Sequence, residues 1–377
     1  MINFLSEAES LRPKLINIRR ELHQNPEVGN NEFKTAELIE KFLSEIGINF
    51  KRVINTGIIA KLNGKLPGKN LALRSDIDAL PINEENDVNF KSKNPGVMHA
   101  CGHDVHMTSL LGAAMLLKNH VNELKGSVTF IFQPDEEGNG GAERMIKAGC
   151  LEDVNLIFGA HVSPELPAGH VGFKYGKFYA ASEVYKINIF GKSCHIAKKS
   201  EGIDALLTGA ELVQEILNMN NENVLISVGK FHSGTAVNIV PGLAELAGSI
   251  RVFGVENRKK ICDELISRVN KTANKFNAKS EIILTEGYPG IINNDEMTKL
   301  AENSARELFG DDRVHVLENS TMMSEDFGSY LLRIPGSFYH FGAGCDLPLH
   351  SNKFLPVDDA FITAAALHAK IIFDANK

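Results

Sequence analysis

What most limits the fold of this chain is a regular alternation of strand-like and helix-like segments, broken once by a different pattern and then resumed. The stretch LRPKLINIRRELHQNPE carries Leu11, Leu15, Ile18 and Leu22 at helical spacing, and FKTAELIEKFLSEIG reads as a second helix ending on Gly47. GIIAKLNG and NLALRSD then read as strands, HDVHMTSLLGAAMLLKNH as a helix, and SVTFIFQPDEEG as a strand running into a polar turn. GGAERMIKAG reads as a short helix and NLIFGAHV as a further strand. Strands alternating with helices predict an α/β domain with a mainly parallel sheet covered by helices.

The pattern changes near Ser182. EVYKINIFG alternates as a half-buried strand, and IDALLTGAELVQEILNM is helical, with Leu206, Ala210, Val213 and Leu217 expected on its buried stripe. NVLISVGKF and LAELAGSIRVF are two more strands, NRKKICDELISRVNKTANKF a helix and KSEIILTEG a strand. The order β-α-β-β-α-β is the ferredoxin-like unit. After Tyr288 and Pro289 the first style returns, with a helix in DEMTKLAENSARELFG, a strand in SFYHFGAG and a closing helix in VDDAFITAAALHAKIIFDANK. The predicted organisation is therefore a discontinuous first domain, residues 1–181 and 291–377, interrupted by an inserted domain at 182–290.

Composition narrows the class of function. The formal charge of -7 is spread over 377 residues and gives no clustered basic face, so nucleic acid is not an expected partner. Residues 1–47 lack a secretory pattern, and no run of about 18 uninterrupted apolar residues occurs, so neither export nor a transmembrane helix is expected. Five widely spaced cysteines, Cys101, Cys150, Cys194, Cys262 and Cys345, do not make a disulfide framework. A reducing cytoplasm is the expected setting.

Four short motifs carry metal-capable side chains. HACGHDVH places Cys101 and His103 just before a helix, QPDEEGNGG places Glu136 and Glu137 side by side after a strand, GAHV places His161 at a strand end, and LPLHSN places His350 in a loop. Three of the four lie where a strand ends or a helix begins, which is where ligands bind in open α/β sheets. Thiolate, imidazole and carboxylate all bind zinc and similar divalent ions. A thiolate or carboxylate can bridge two cations, and such a pair can share a bound hydroxide near neutral pH. One glutamate can then bind metal while its neighbour moves the proton. Taken singly, each feature has an ordinary reading. His23, His120 or His368 read as hydrogen-bonded side chains, adjacent glutamates as a solvated turn, and Cys150, Cys262 and Cys345 as packing. The four motifs together favour a metal site.

Beyond these motifs the chain resembles the metallopeptidase family that contains aminoacylases, carboxypeptidases and succinyl-diaminopimelate desuccinylase. More narrowly it resembles the amidohydrolase branch of hippurate hydrolase, indole-acetyl-amino-acid hydrolases and N-acetyldiaminopimelate deacetylase. RRELHQNPEVGNNEF, ALRSDIDALPI, MHACGHDVHM, QPDEEGNGGAERMI, HVSPELPAG, SGTAVNIVP and MSEDFG carry the resemblance over nearly the whole chain. It implies hydrolysis of the amide bond of a small N-acyl amino acid, with two divalent ions per subunit, zinc or manganese. Cys101 would bridge both metals, His103 and His161 would complete one, and Glu137 and His350 the other. Glu136 would be the general base, and Asp104 would orient a ligand. Asp76 and Asp78 would act behind the ligands rather than on the metals. The insert would be a lid and homodimerisation domain, with His195 hydrogen-bonding the oxyanion and Asn238 and Arg251 holding the substrate carboxylate.

One stretch departs from the branch. In KSCHIAKKSEG, Ser193 and Cys194 replace a usual glycine pair, and Lys198 and Lys199 stand where Pro-His is usual. Three rival readings follow from the same residues. A dipeptidase or carboxypeptidase would use the same metals, although a cysteine at the bridging position favours the amidohydrolase branch. A catalytically dead binding protein conflicts with the complete ligand set. A thiol sensor conflicts with the absence of a C-x-x-C pair.

Overall fold

The computed structural model describes residues 2–377, which divide into two compact units. The first comprises residues 2–176, 293–319 and 329–377, and the second residues 177–292 and 320–328.

The first unit is built on an eight-stranded sheet in the order 49–53, 57–63, 125–133, 66–76, 156–163, 336–342, 171–173, 314–316. Its four central strands, from 125–133 to 336–342 in that order, run parallel. The two outer strands 49–53 and 57–63 join antiparallel, as does 171–173 against 336–342. Strands 156–163 and 336–342 are buried along their whole length, as continuous apolar runs should be when both faces of a parallel sheet are covered. Helices His103–Asn119 and Asp358–Asp374 pack on each other and are themselves almost wholly buried. Three short strands, 49–53, 171–173 and 314–316, and an opening helix at Phe4–Ser10 were not expected from the sequence. Each is seven residues or fewer, too short to give a clear periodicity.

Parallel strands end on the same side, and this positions the motifs. Asp76 stands opposite Gln133 at the ends of neighbouring strands, and His161 stands opposite His340. The turn carrying Glu136 and Glu137 leaves the strand that ends at Gln133.

The second unit holds a four-stranded antiparallel sheet in the order 224–233, 243–252, 181–190, 279–286, with helices Ala205–Leu217 and Val255–Lys275. This is the ferredoxin-like order of strands. It also takes in residues 320–328, which the sequence reading leaves with the first domain. The backbone explains the reassignment: the Ala180 amide donates to the Thr321 and Met323 carbonyls, and the Thr321 amide donates to the Phe178 carbonyl.

Helix Ala205–Leu217 buries a different stripe from the one expected. Ala205, Thr208, Gly209, Leu212 and Ile216 face the sheet, whereas Leu206 and Leu217 are 44% and 39% exposed. Two apolar stripes compete on this helix, and close approach selects between them. A Cβ at Gly209 would lie 2.9 Å from the Phe231 ring and 3.3 Å from Ala244 Cβ, so only the stripe with small residues fits against the sheet. Leu212→Ala should therefore cost about 2–5 kcal/mol, and Leu206→Ala no more than about 0.5 kcal/mol. Denaturant unfolding of the two variants checks this, and the reverse ranking would restore the stripe expected from the sequence.

Candidate metal centre

The residues that meet at the carboxyl ends of the parallel strands come from five separate segments. Gly102 lies between Cys101 and His103 with φ +80, and a Cβ there would meet Val162 Cγ1 at 2.6 Å. Glycine thus allows the chain to turn sharply into helix His103–Asn119, putting Cys101 just outside the helix and His103 in its first turn. Cys101 Sγ lies 3.4 Å from His161 Nε2. Glu137 Oε1 lies 3.1 Å from His350 Nε2 and 4.0 Å from His103 Nε2.

Two sets of donor atoms, each within 4.8 Å of one another, could hold a cation: Cys101, His103 and His161, and Cys101, Glu137 and His350. They share Cys101. His103, Glu136 and Glu137 form a third such group, and Asp76, His103 and His106 a fourth.

Hydrogen bonds fix which nitrogen each imidazole presents. His103 Nδ1 donates to the Asp78 carbonyl at 2.8 Å, and His161 Nδ1 to the Val162 carbonyl at 2.7 Å, so in the neutral form of each ring it is Nε2 that carries the lone pair. Asp78 also holds the other side of the centre, because its Oδ2 accepts the Glu137 amide at 2.9 Å. Asp76 Oδ1 accepts from His106 Nδ1 at 2.7 Å, while His106 Nε2 accepts the Val162 amide at 2.9 Å. His106 therefore lies stacked on His103, with ring centroids 5.3 Å apart, and its tautomer is fixed. The sequence reading passed over His106. The signal was present in HDVH, since a spacing of three puts two histidines on one helix face.

Asp104 faces elsewhere. Its Oδ2 accepts from Arg19 Nε at 2.8 Å and His23 Nδ1 at 2.9 Å, and His23 Nε2 lies 3.1 Å from Glu84. The side chain beside His103 does not serve it: His103 is held by Asp78, while Asp104, expected to orient a ligand, ties the first turn of its helix to helix Arg12–His23. His195, Asn238 and Arg251 lie in the second unit. There His195 pairs with Ile239, and the Asn238 carbonyl accepts the Ile196 amide at 3.0 Å, so His195 and Asn238 are neighbours. Arg251 Nη1 donates to the Ile250 carbonyl at 3.2 Å. Lys198 and Lys199 pair locally with Glu201 and Asp204, each at 3.4 Å. Cys194 fits because position 202 is glycine, where a Cβ would come within 2.5 Å of its sulfur.

The donor set fits divalent cations on its own chemistry. His103 Nε2 and Glu137 Oε1 are buried without a hydrogen-bond partner. Burial, with Glu137 and Glu136 nearby, pushes the Cys101 thiol well above its ordinary range, so a thiolate there calls for local positive charge. Burial opposes a charged His103, but Asp76, Asp78 and Glu137 outweigh it and carry this imidazole up to about 10. Burial pushes His161 well down, which keeps it a neutral donor. A cluster that draws protons onto one imidazole while disfavouring its own thiolate is short of cations.

Residues 72–374 match the pattern of peptidase family M20/M25/M40. The chain is 35% identical to an N-acetyl-L-cysteine deacetylase of Bacillus subtilis (strain 168), over 98% of this chain and 90% of that protein. It is 34% identical to thermostable carboxypeptidase 2 of Saccharolobus solfataricus, over 97% of this chain and 96% of that one. Among solved structures, the Bacillus subtilis YXEP protein, described as a dinuclear metal binding peptidase from the M20 family, superposes with a TM-score of 0.89 at 34% identity. That match covers 97% of this chain and 98% of the other.

If Asp78 sets the orientation of His103 and the Glu137 turn, Asp78→Ala should weaken divalent-ion affinity about 10–100-fold. Competition with a chromophoric chelator measures this, and an affinity equal to that of the unaltered protein would remove Asp78 from the supporting shell.

Proposed function

This chain belongs to peptidase family M20/M25/M40 and is a hydrolase of amide bonds, and we propose that its substrates are small N-acyl amino acids. The observation that carries this reading is the pair of donor sets sharing Cys101 beside the buried Glu136. Cys101, His103 and His161 would hold one divalent ion, and Cys101, Glu137 and His350 the other, zinc or manganese in each case. When bound, such a pair polarises an amide carbonyl and lowers the pKa of water towards neutrality.

The chain's own groups then account for the proton and charge movements. Glu136 takes a proton from the attacking water and returns it to the amide nitrogen, so the C–N bond breaks to give a carboxylate and a free amine. His195 is suited to meet the developing oxyanion. Its Nδ1 accepts the Ala197 amide at 3.2 Å, which leaves the proton on Nε2, and the side chain is exposed. Burial lowers the Arg251 pKa, and no carboxylate of the chain is bonded to its guanidinium among the described contacts. A fork in that state suits a substrate carboxylate, with Asn238 assisting. In this reading the second unit is the lid and the interface of a homodimer, and His195 of the partner subunit serves each centre. The substrate is a small molecule, and among the described residues no helix is long and apolar enough to cross a membrane.

Cleavage of a C-terminal peptide bond is a second reading, supported by the 34% identity with the carboxypeptidase. Both bonds are amides next to a carboxylate, so the same groups serve either. Initial rates on acetyl, benzoyl and indole-acetyl amino acids, set beside a dipeptide panel, decide between them. Faster hydrolysis of the dipeptides would overturn the first reading.

Exhaustive chelation should abolish hydrolysis, with recovery on adding zinc or manganese. Glu136→Gln should keep its metal and lose several orders of magnitude in kcat, whereas Glu137→Gln should lose metal affinity. Exchanged phenotypes would reverse the two assignments. His195→Ala should lower kcat roughly 10²–10³-fold with metal content intact. Mixing it with Glu136→Gln under subunit exchange should restore activity, and failure to do so would place the histidine's action within its own chain.

A further inference from the structure

Glu32 occupies the N-cap position of helix Phe33–Glu45 yet makes no capping hydrogen bond. That position favours Ser, Thr, Asp or Asn, whose short side chains fold back on the first turn. The Glu32 side chain instead runs inward and is fully buried. One oxygen accepts the Asp135 amide at 2.9 Å and the other accepts the Thr56 hydroxyl at 2.8 Å. A buried carboxylate that gives up a local role for a distant one marks a site where the sequence serves something other than its own helix.

The distant partner is unusual in its backbone. Asp135 has φ +59, a left-handed conformation that is uncommon outside glycine, and it directly precedes Glu136 and Glu137. Everything around it holds that kink. Its carbonyl accepts the Gly140 amide at 3.0 Å. Its Oδ2 accepts from Asn30 Nδ2 at 2.7 Å and Arg144 Nη2 at 2.8 Å, and Arg144 Nη1 reaches Asn30 Oδ1 at 2.5 Å. Its Oδ1 sits between two glycines, since a Cβ at Gly29 or at Gly138 would approach it to 2.2 Å. The same N-terminal loop also supports the neighbouring strand end, because the Glu27 carbonyl accepts the Ala79 amide at 2.8 Å, one residue beyond Asp78.

We propose that Glu32 and Asp135 are positioning residues for the adjacent Glu136 and Glu137. Glu32 anchors the amide of the kinked residue, Asn30 and Arg144 anchor its side chain, and the direction of the two glutamates follows from the kink. The proposal rests on the reading of Glu136 as general base and Glu137 as metal ligand. A left-handed residue held at three points persists only where its surroundings over-determine it. Relaxing it would swing the next two side chains, and small misplacements of a base cost turnover more than binding. Glu32 reaches both of its partners through hydrogen bonds to neutral groups. Burial already pushes its carboxyl up to about 7, so a neutral side chain of the same shape is expected to serve.

The test uses the full chain loaded with cobalt(II), whose visible bands report ligand geometry independently of turnover, alongside kinetics of the zinc-loaded or manganese-loaded enzyme. Glu32→Gln can keep an oxygen on the Asp135 amide and turn its NH₂ to the Thr56 hydroxyl. It should stay within about threefold of the unaltered kcat, with unchanged cobalt bands. Glu32→Leu leaves the amide unpaired and should lower kcat roughly 10–100-fold at nearly constant KM, with shifted bands and full metal content. Thr56→Val removes the other partner alone and should cost stability but not turnover. Arg144→Met, at a part-exposed residue that folding tolerates, should reproduce a milder form of the Glu32→Leu pattern and decides the matter if Glu32→Leu does not fold. Unaltered kcat and bands in both would overturn the proposal, as would a Glu32→Gln as impaired as Glu32→Leu. Full activity in Glu136→Gln would instead overturn the general-base reading, while the cobalt bands would still report on the kink.

Discussion

Asp78 joins parts of the centre that the chain keeps apart. Its carbonyl accepts a hydrogen bond from His103 Nδ1, its side-chain Oδ2 accepts one from the Glu137 amide, and the amide of its neighbour Ala79 donates to the Glu27 carbonyl. One residue just past a parallel strand thus fixes a helix N-terminus, a turn and the N-terminal loop relative to one another. The sheet makes this possible. Parallel strands 66–76, 125–133 and 156–163 end together, so residues from three strand ends lie within hydrogen-bond reach without any long excursion of the backbone.

Around Asp78 the structure concentrates ionisable groups where water is excluded. Asp76, Asp78, His103, His106 and His161 are all buried, and unpaired charge there would cost several kcal/mol per group. The chain distributes that cost by pairing. Burial opposes the Asp76 carboxylate, but His103, His106 and Arg74 outweigh it and hold it well below the usual range. Arg74 is held in turn by Gln133, whose Oε1 also accepts the Tyr330 hydroxyl. A second buried set, Arg19, His23, Glu84 and Asp104, settles its charges separately from the donor cluster. Among the buried atoms without a hydrogen-bond partner, His103 Nε2 and Glu137 Oε1 belong to the donor cluster, while Arg19 Nη2 and Asp104 Oδ1 belong to the second set. Rigidity outside and unmet valence inside is the arrangement expected of a pre-organised metal site.

Much of this was legible in one dimension, for identifiable reasons. Period and length gave the long elements, because an apolar run such as LIFGAHV or a helix such as His103–Asn119 commits its residues locally. The short strands escaped, since three to five residues carry little periodicity. The helix Ala205–Leu217 was found but its buried face was not, because two apolar stripes were available and only the small residues facing Phe231 decided between them. The resemblance implied that Asp104 orients a ligand, but the side chains of neighbouring helical residues diverge, and its carboxylate meets Arg19 and His23.

The sequence by itself determined the donor chemistry: a cysteine, histidines and glutamates at the boundaries of α/β elements, with glycine between Cys101 and His103 to let the chain turn. It determined the class of fold too, since alternation and apolar runs are properties of neighbouring residues. Only the tertiary structure decided which carboxylate serves which histidine, that His106 lies beneath His103, and that Glu32 reaches across 103 positions to the turn before Glu136. Those are meetings between segments remote in the chain. Hydrogen-bond geometry at the ends of parallel strands, rather than spacing along the sequence, selects the partners.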